Sequence, residues 1–174
     1  SAEDTVVYAV SLLEDDTLYN AGTGSQIQSD GKIRMSASLM NGDNQKFSGV
    51  INIENVKNPI QIAQVLMKED DSVLGGNGAK MYATKKGFPD YSTEIPQRRK
   101  EYEEKVKNGG KGTVGCVALD QNGKLAAATS TGGKGFEIIG RISDSATVAG
   151  NFANRYCAVS CTGVGEDIVR NATA

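Results

Sequence analysis

This chain contains no histidine and no tryptophan. The missing histidine excludes a Ser-His-Asp triad, a Cys-His pair and any histidine-ligated zinc centre, so a hydrolase built on it needs another general base. Charge of neither sign dominates. There are 19 basic and 21 acidic residues for a formal net charge of -2, and no basic run interleaves with aromatics, so nothing points to nucleic acid. No apolar run is long enough to span a bilayer, which leaves no reason to expect a membrane partner. No secretory signal is in view, and the expected compartment is the cytoplasm. Cysteine is scarce: Cys116, Cys157 and Cys161 form an odd, unclustered set inside apolar segments and read as small buried hydrophobes. A chain of 174 residues typically makes one domain.

What is plentiful is glycine, with 21 residues, and it brackets the most informative stretch. Gly112-Thr113-Val114-Gly115 opens an apolar run to Leu119. Gln121-Asn122-Gly123-Lys124 is a turn, and Leu125 to Thr131 is a second apolar run closed by Gly132-Gly133. The pattern predicts a hairpin, with both strands buried on both faces. Thr113 begins one strand and Thr131 ends the other, so antiparallel pairing brings the two hydroxyls together.

Upstream, Asp4 to Asp15 reads as a helix with Val6, Val7, Val10 and Leu13 on its apolar side and Leu12 widening the stripe. Acidic residues end it, against the dipole, before the loop Leu18 to Ser25. A cation held by loop carbonyls would relieve that, and so would simple solvation. Gln26 to Met40 is predicted as two strands around Ser29-Asp30-Gly31-Lys32, with Ile33, Met35, Ala37 and Leu39 facing one buried side. Phe47 to Ile53 is another strand. Asn58-Pro59 starts a helix with proline early, where its missing N–H costs nothing. Val73 to Gly78 is a short apolar piece, and Ala79 to Lys86 a further helix.

From Pro89 the composition turns polar, and Arg98 to Lys107 is almost entirely charged. This predicts a solvated helix running into a flexible glycine-rich linker, the whole linker spanning about residues 87–112. A linker that leads straight into a buried strand at Thr113 suits a self-processing junction. Downstream, Arg141 and Asp144 are the only charged residues between Glu137 and Arg155. They form either a local salt bridge or a clamp on a zwitterion, with guanidinium for carboxylate and carboxylate for ammonium. Tyr156 to Cys161 is a third apolar strand. Thr162-Gly163-Val164-Gly165 then precedes a helix with Glu166 and Asp167 in its first turn, a place where free backbone N–H groups can hold an oxyanion.

Five ordered segments together resemble the plant-type L-asparaginase / isoaspartyl peptidase family, whose members are N-terminal nucleophile hydrolases. They are Asn20-Ala21-Gly22, Gly112 to Gly115, Ala128 to Gly133, Gly140-Arg141 with Asp144-Ser145, and Ser160 to Glu166. The resemblance implies an α+β fold, an αββα sandwich. The family's opening strand, with its His-Gly-Gly-Ala-Gly stretch, and its closing segments do not occur in these residues, so the sandwich is expected incomplete at both ends. It implies scission between Gly112 and Thr113, making residues 1–112 part of an α-subunit and 113–174 the start of a β-subunit within one domain. The freed Thr113 α-amine then serves as base for the Thr113 hydroxyl, which answers the missing histidine. By the same resemblance Thr131 hydrogen-bonds the nucleophile, and Asn20 stands near it. Thr162 and Gly163 line the oxyanion hole. Arg141 and Asp144 bind the α-carboxylate and α-ammonium of a β-aspartyl unit, with Gly165 completing the pocket. The main-chain carbonyls of Leu13, Glu14, Asp16, Tyr19, Ala21 and Thr23 hold a structural sodium ion, and no cofactor is needed for catalysis.

The implied substrates are asparagine and β-aspartyl dipeptides. Lys134-Gly135-Phe136-Glu137-Ile138 resembles cyanobacterial members, for which β-Asp-Arg is the expected dipeptide. The implied assembly is an (αβ)2 heterotetramer. Three rivals share parts of the pattern. A glycosylasparaginase would be secreted and disulfide-bearing, and only the sequon Asn171-Ala172-Thr173 speaks for it. A threonine endopeptidase fits less well around Arg141 and Asp144. An unprocessed, inactive relative would act as a subunit or binding module.

Overall fold

A computed structural model describes residues 1–105 and 112–174, so the last two residues of the predicted charged run, Val106 and Lys107, and residues 108–111 of the glycine-rich linker lie outside the described residues. Apolar periodicity and capping set the first element. Ser1 accepts from the Asp4 N–H at 3.2 Å and starts α1, Ala2–Asp15. Val6, Val7 and Val10 are buried on its inner side as predicted, whereas Leu12 is exposed and lies off the stripe.

β1 (Met35–Asn41) and β2 (Phe47–Ile53) pair antiparallel. α2 (Pro59–Leu66) follows with its proline in the first turn. Then come β3 (Val73–Gly75), parallel to β2, and α3 (Gly76–Lys85). α4 (Pro96–Glu103) precedes the linker. β4 (Val114–Leu119) and β5 (Leu125–Thr131) form the predicted hairpin. β6 (Asn151–Ala153) pairs with β7 (Ala158–Ser160), and α5 (Gly165–Asn171) closes the described chain.

The main sheet runs β3-β2-β1-β5-β4, and β6-β7 is a separate two-stranded sheet. Strand parity divides it into two faces. Met35, Ala37 and Leu39 of β1, Val50 of β2 and Ala126 and Ala128 of β5 pack with α1 and α2 in the larger core. Met40 and Ala127 point the other way, onto Ala153, Phe152 and Ala158 of the small sheet. The fold is thus mixed α+β: helices on one face of a five-stranded sheet and a β-hairpin on the other.

That layering corrects three expectations. β1 is buried on both faces, not one, because it is central and covered from both sides. Its polar positions are served from within: Ser38 donates to Ser145 O at 2.6 Å. Gln26 to Gln28 is a loop, not a strand. β4 is not buried on both faces. It is the sheet edge, so its residues alternate, and Val117 and Leu119 are exposed. The cysteines also depart from expectation, since Cys157 is exposed while Cys116 and Cys161 are half-buried, all three as free thiols. Among the described residues no helix is long and apolar enough to cross a membrane.

Candidate active site

The hairpin register places the central pair. Val114 lies opposite Ser130, so Thr113 faces Thr131 one step further out. The Thr113 hydroxyl donates to Thr131 Oγ1 at 3.0 Å, and the Gly133 N–H donates to the same oxygen at 3.2 Å. With its proton directed at Thr131, Thr113 Oγ1 keeps its lone pairs free. The same parity turns Ser130 to the helical face.

The residue before Thr113 is held just as closely. Gly112 O accepts from the Asn20 N–H at 3.1 Å, and a Cβ on Gly112 would overlap the Asn20 backbone, so only glycine allows the approach. Asn20 thus lies beside the residue that precedes Thr113, and its side chain turns to the neighbouring loops. Its Oδ1 accepts from the Gln26 N–H at 2.8 Å, its Nδ2 donates to Gly133 O, and its carbonyl accepts from the Gly132 N–H at 2.7 Å. It clips together three loop segments, while its own N–H holds Gly112 O.

Thr113 and Thr162 line one open groove of about 420 Å³, floored by β4 and β7. Among the described residues the N–H groups of Thr162 and Gly163 donate to no protein acceptor, and both residues are exposed. Beneath the groove, Thr129 donates to Asn151 Oδ1 at 3.0 Å and shares a 2.6 Å hydrogen bond with Ser160, which fixes β7 and hence the start of the Thr162 turn.

Three residues beyond Thr162 the chain reaches the predicted clamp. A Cβ on Gly165 would sit 2.6 Å from Asp144 Oδ1 and 2.8 Å from Arg141 Nη2. The carboxylate and the guanidinium therefore converge on the space that glycine leaves. Burial holds the Asp144 carboxyl above the usual carboxylate range, partly offset by its own backbone N–H and by Arg141. The Arg141 backbone is pinned by Asn52, whose Nδ2 donates to Arg141 O at 3.1 Å.

The sequence reading assigned Glu166 only to the helix dipole. In the structure it accepts from Arg141 Nε at 2.7 Å and from Lys134 Nζ at 3.2 Å. The Arg141 hydrogen bond pulls the Glu166 carboxyl down to about 2. Glu166 occupies one edge of the guanidinium and leaves the Nη end toward Asp144. The motif Gly165-Glu166 was visible in sequence, but nothing local indicated that this carboxylate reaches across to Arg141.

Glu14, read from sequence only for its main-chain carbonyl, has a further role through its side chain. Its carboxyl is fully buried, accepts from Ser130 Oγ at 2.6 Å and from the Ile60 N–H at 3.1 Å, and is pushed up to about 8 by burial. It ties α1 and α2 to the strand residue beside Thr131.

The loop proposed for sodium follows α1. Its carbonyls are partly engaged: Leu13 O accepts from Asp16 N, Glu14 O from Thr23 N and Asp16 O from Tyr19 N. The carbonyls of Tyr19, Ala21 and Thr23 accept no backbone hydrogen bond among the described residues, and the buried Thr23 Oγ1 has no partner. This all-oxygen set fits a hard monovalent cation. The acidic helix end finds its own cation, since Lys57 Nζ lies 2.8 Å from Asp15. Among the described residues no group of three His, Cys, Asp or Glu side chains could hold a metal ion.

A mixed α+β chain whose strand-opening threonine follows a cradled glycine carbonyl, and whose Arg141 and Asp144 converge on Gly165, is the class that sequence and geometry define together. The chain belongs to the asparaginase family, whose sequence profile matches residues 1–108 and 94–174. It is 50% identical to a protein of a Synechocystis strain and 48% identical to one of a Nostoc strain, both named isoaspartyl peptidase/L-asparaginase. All of this chain is covered in each case, with 58% and 61% of those relatives. It is also 38% identical to the plant-type L-asparaginase of Pyrococcus abyssi, over 100% of the chain and 64% of that protein. The chain spans about three-fifths of the length of these relatives.

Proposed function

We propose that this chain carries the junction and acid-binding half of a self-cleaving threonine hydrolase. It would act on β-aspartyl dipeptides and on the side-chain amide of asparagine. Scission begins when Thr113 Oγ1 attacks the Gly112 carbonyl carbon, its proton being relayed through the Thr131 hydroxyl to the departing Thr113 nitrogen. The Asn20 N–H receives the developing charge on Gly112 O. The C–N bond breaks, the Thr113 nitrogen leaves as an amine, and water hydrolyses the resulting ester. The free α-amine, with an ordinary pKa of about 8, then takes the Thr113 hydroxyl proton in each turnover.

In turnover the same oxygen attacks the side-chain carbonyl of the substrate. Ammonia or an amino acid leaves, and water releases aspartate from the acyl-enzyme. Arg141 holds the α-carboxylate and Asp144 the α-ammonium, which selects a β-linked aspartyl unit because an α-peptide lacks the free carboxylate. The N–H groups of Thr162 and Gly163 stabilise the tetrahedral oxyanion. The loop from Leu13 to Thr23 holds a structural sodium ion, and the processed protein assembles as an (αβ)2 heterotetramer in the cytoplasm.

One observation carries the reading: the Thr113 hydroxyl bonded to Thr131 at 3.0 Å beside a Gly112 carbonyl already bonded to Asn20. In the intact protein, Thr113→Ala should abolish both the split into two bands on a denaturing gel and ammonia release from asparagine. Mass spectrometry of the untouched protein should find a new N-terminus at Thr113. Splitting by the alanine variant would sink the mechanism.

A further inference from the structure

α4 lies just before the junction and buries no side chain, so core packing does not fix its place. Side chains reaching into neighbouring loops do. Arg98 Nε donates to Gly24 O at 2.8 Å, Arg99 Nη2 to Gly31 O at 3.1 Å and Tyr102 Oη to Ser29 O at 3.2 Å. The Tyr102 ring stacks on Phe136, from the other side of the junction, with centroids 5.4 Å apart and planes 14° from parallel. The Arg99 guanidinium lies over the Tyr102 ring.

Phe136 has a φ of +54°, a left-handed conformation that bulky residues rarely adopt. Such a backbone persists only where its surroundings over-determine it. Here the Phe136 N–H donates to Ile27 O at 2.9 Å, and the buried Glu137 Oε1 accepts from the Lys134 N–H at 3.3 Å and from Gln28 Nε2 at 3.4 Å. The Ser29 N–H also donates to Glu137 O at 3.3 Å, Asn52 and Glu166 hold Arg141 itself, and the ring stack adds the constraint that comes from α4. Just beyond, Ile138 and Ile139 are exposed, so burial does not hold that stretch down. The same stretch delivers Arg141, whose N–H donates to Ile138 O at 3.0 Å.

We propose that Tyr102 is a positioning residue for the α-carboxylate clamp: α4 stays docked after scission, and its ring, seated on Phe136, braces residues 134–141 so that Arg141 is poised for substrate. The inference rests on the hydrolase reading above. A brace of this kind lowers the ordering cost of binding and leaves the chemical step alone. Its loss therefore raises KM with kcat unchanged.

The test uses the intact protein. Tyr102→Ala should split at Thr113 normally, raise KM for a β-aspartyl dipeptide about five- to twentyfold and keep kcat within about twofold. Tyr102→Phe, which keeps the stack and loses only the bond to Ser29, should restore most of the affinity. Phe136→Gly should match Tyr102→Ala, and the double variant should be no worse than either alone, since both remove one contact. Hydrogen exchange supplies a readout that needs no activity: amides of residues 133–141 should exchange faster in Tyr102→Ala. Unchanged exchange, or a fall in kcat at constant KM, overturns the brace. If the wild type cleaves no β-aspartyl bond, the hydrolase reading fails, while the exchange result still decides whether Tyr102 holds the segment.

Discussion

Gly165 shows how one missing Cβ lets two charged side chains approach the backbone. Arg141 and Asp144 converge on the volume a side chain would take, so a Cβ at position 165 would push both from their present places. Gly165→Ala should leave folding intact, because the residue opens α5 and alanine is a better helix former than glycine. The added methyl should raise KM about tenfold or more, equivalent to about 1.4 kcal/mol. Steady-state kinetics beside a urea titration would separate the two effects, and an unchanged KM would remove Gly165 from the site. Glu166 is the other residue of interest here. It fixes the guanidinium by its Nε edge, while Arg141 Nη2 and Asp144 Oδ1 both lie close to where a Cβ on Gly165 would be.

At the level of elements, β5 carries two functions on its two faces. Thr129 and Thr131 point toward β6, β7 and the groove, while Ser130 points toward α1 and bonds Glu14. The strand end that presents Thr131 is thus tied from behind to α1 and, through the Ile60 N–H, to α2. Ser130→Ala removes one of the few partners of a fully buried carboxyl whose Oε2 already has none. The expected cost is about 1–3 kcal/mol of stability, the usual penalty for leaving a buried polar group unpaired. A lower urea midpoint with an unchanged m-value would show it, and a midpoint equal to wild type would mean that Glu14 finds another donor. β4 is the contrasting element. As the edge strand it exposes Val117 and Leu119 and presents Thr113 at its open end, where the junction enters.

For the molecule as a whole, the clamp's charge network adds one contribution to acid stability, beside other carboxyls held low by partners such as Asp30 by Arg34 and Glu94 by Arg99. Glu166 is held at about 2, below its ordinary 4.5, so the folded state binds its proton later than the unfolded chain does. Its contribution is present above about pH 4.5 and is lost as pH falls toward about 2. The side chain is nearly half exposed, so solvent screening makes the slope shallow. Asp144 has the opposite sign, since burial raises its pKa and its neutral form favours the fold as pH falls. Glu166→Gln should therefore flatten the loss of stability across that acid window, as read from unfolding midpoints at successive pH values. A slope identical to wild type would refute the assignment. What the sequence by itself determined was local or ordered along the chain. The first helix, read from Asp4 to Asp15, the hairpin around Asn122-Gly123 and the meeting of Thr113 and Thr131 follow from periodicity, turn chemistry and spacing. Only the tertiary structure decided which strands are central and which is the edge. A continuous run of small apolar residues looks the same in β4 and β5, yet β5 has neighbours on both sides and β4 on one. Long-range pairing likewise made Asn20 a clip through its backbone, aimed Glu166 at Arg141 and set Glu14 behind Ser130. Each of those contacts joins residues far apart in the chain, where no local preference carries information about the partner.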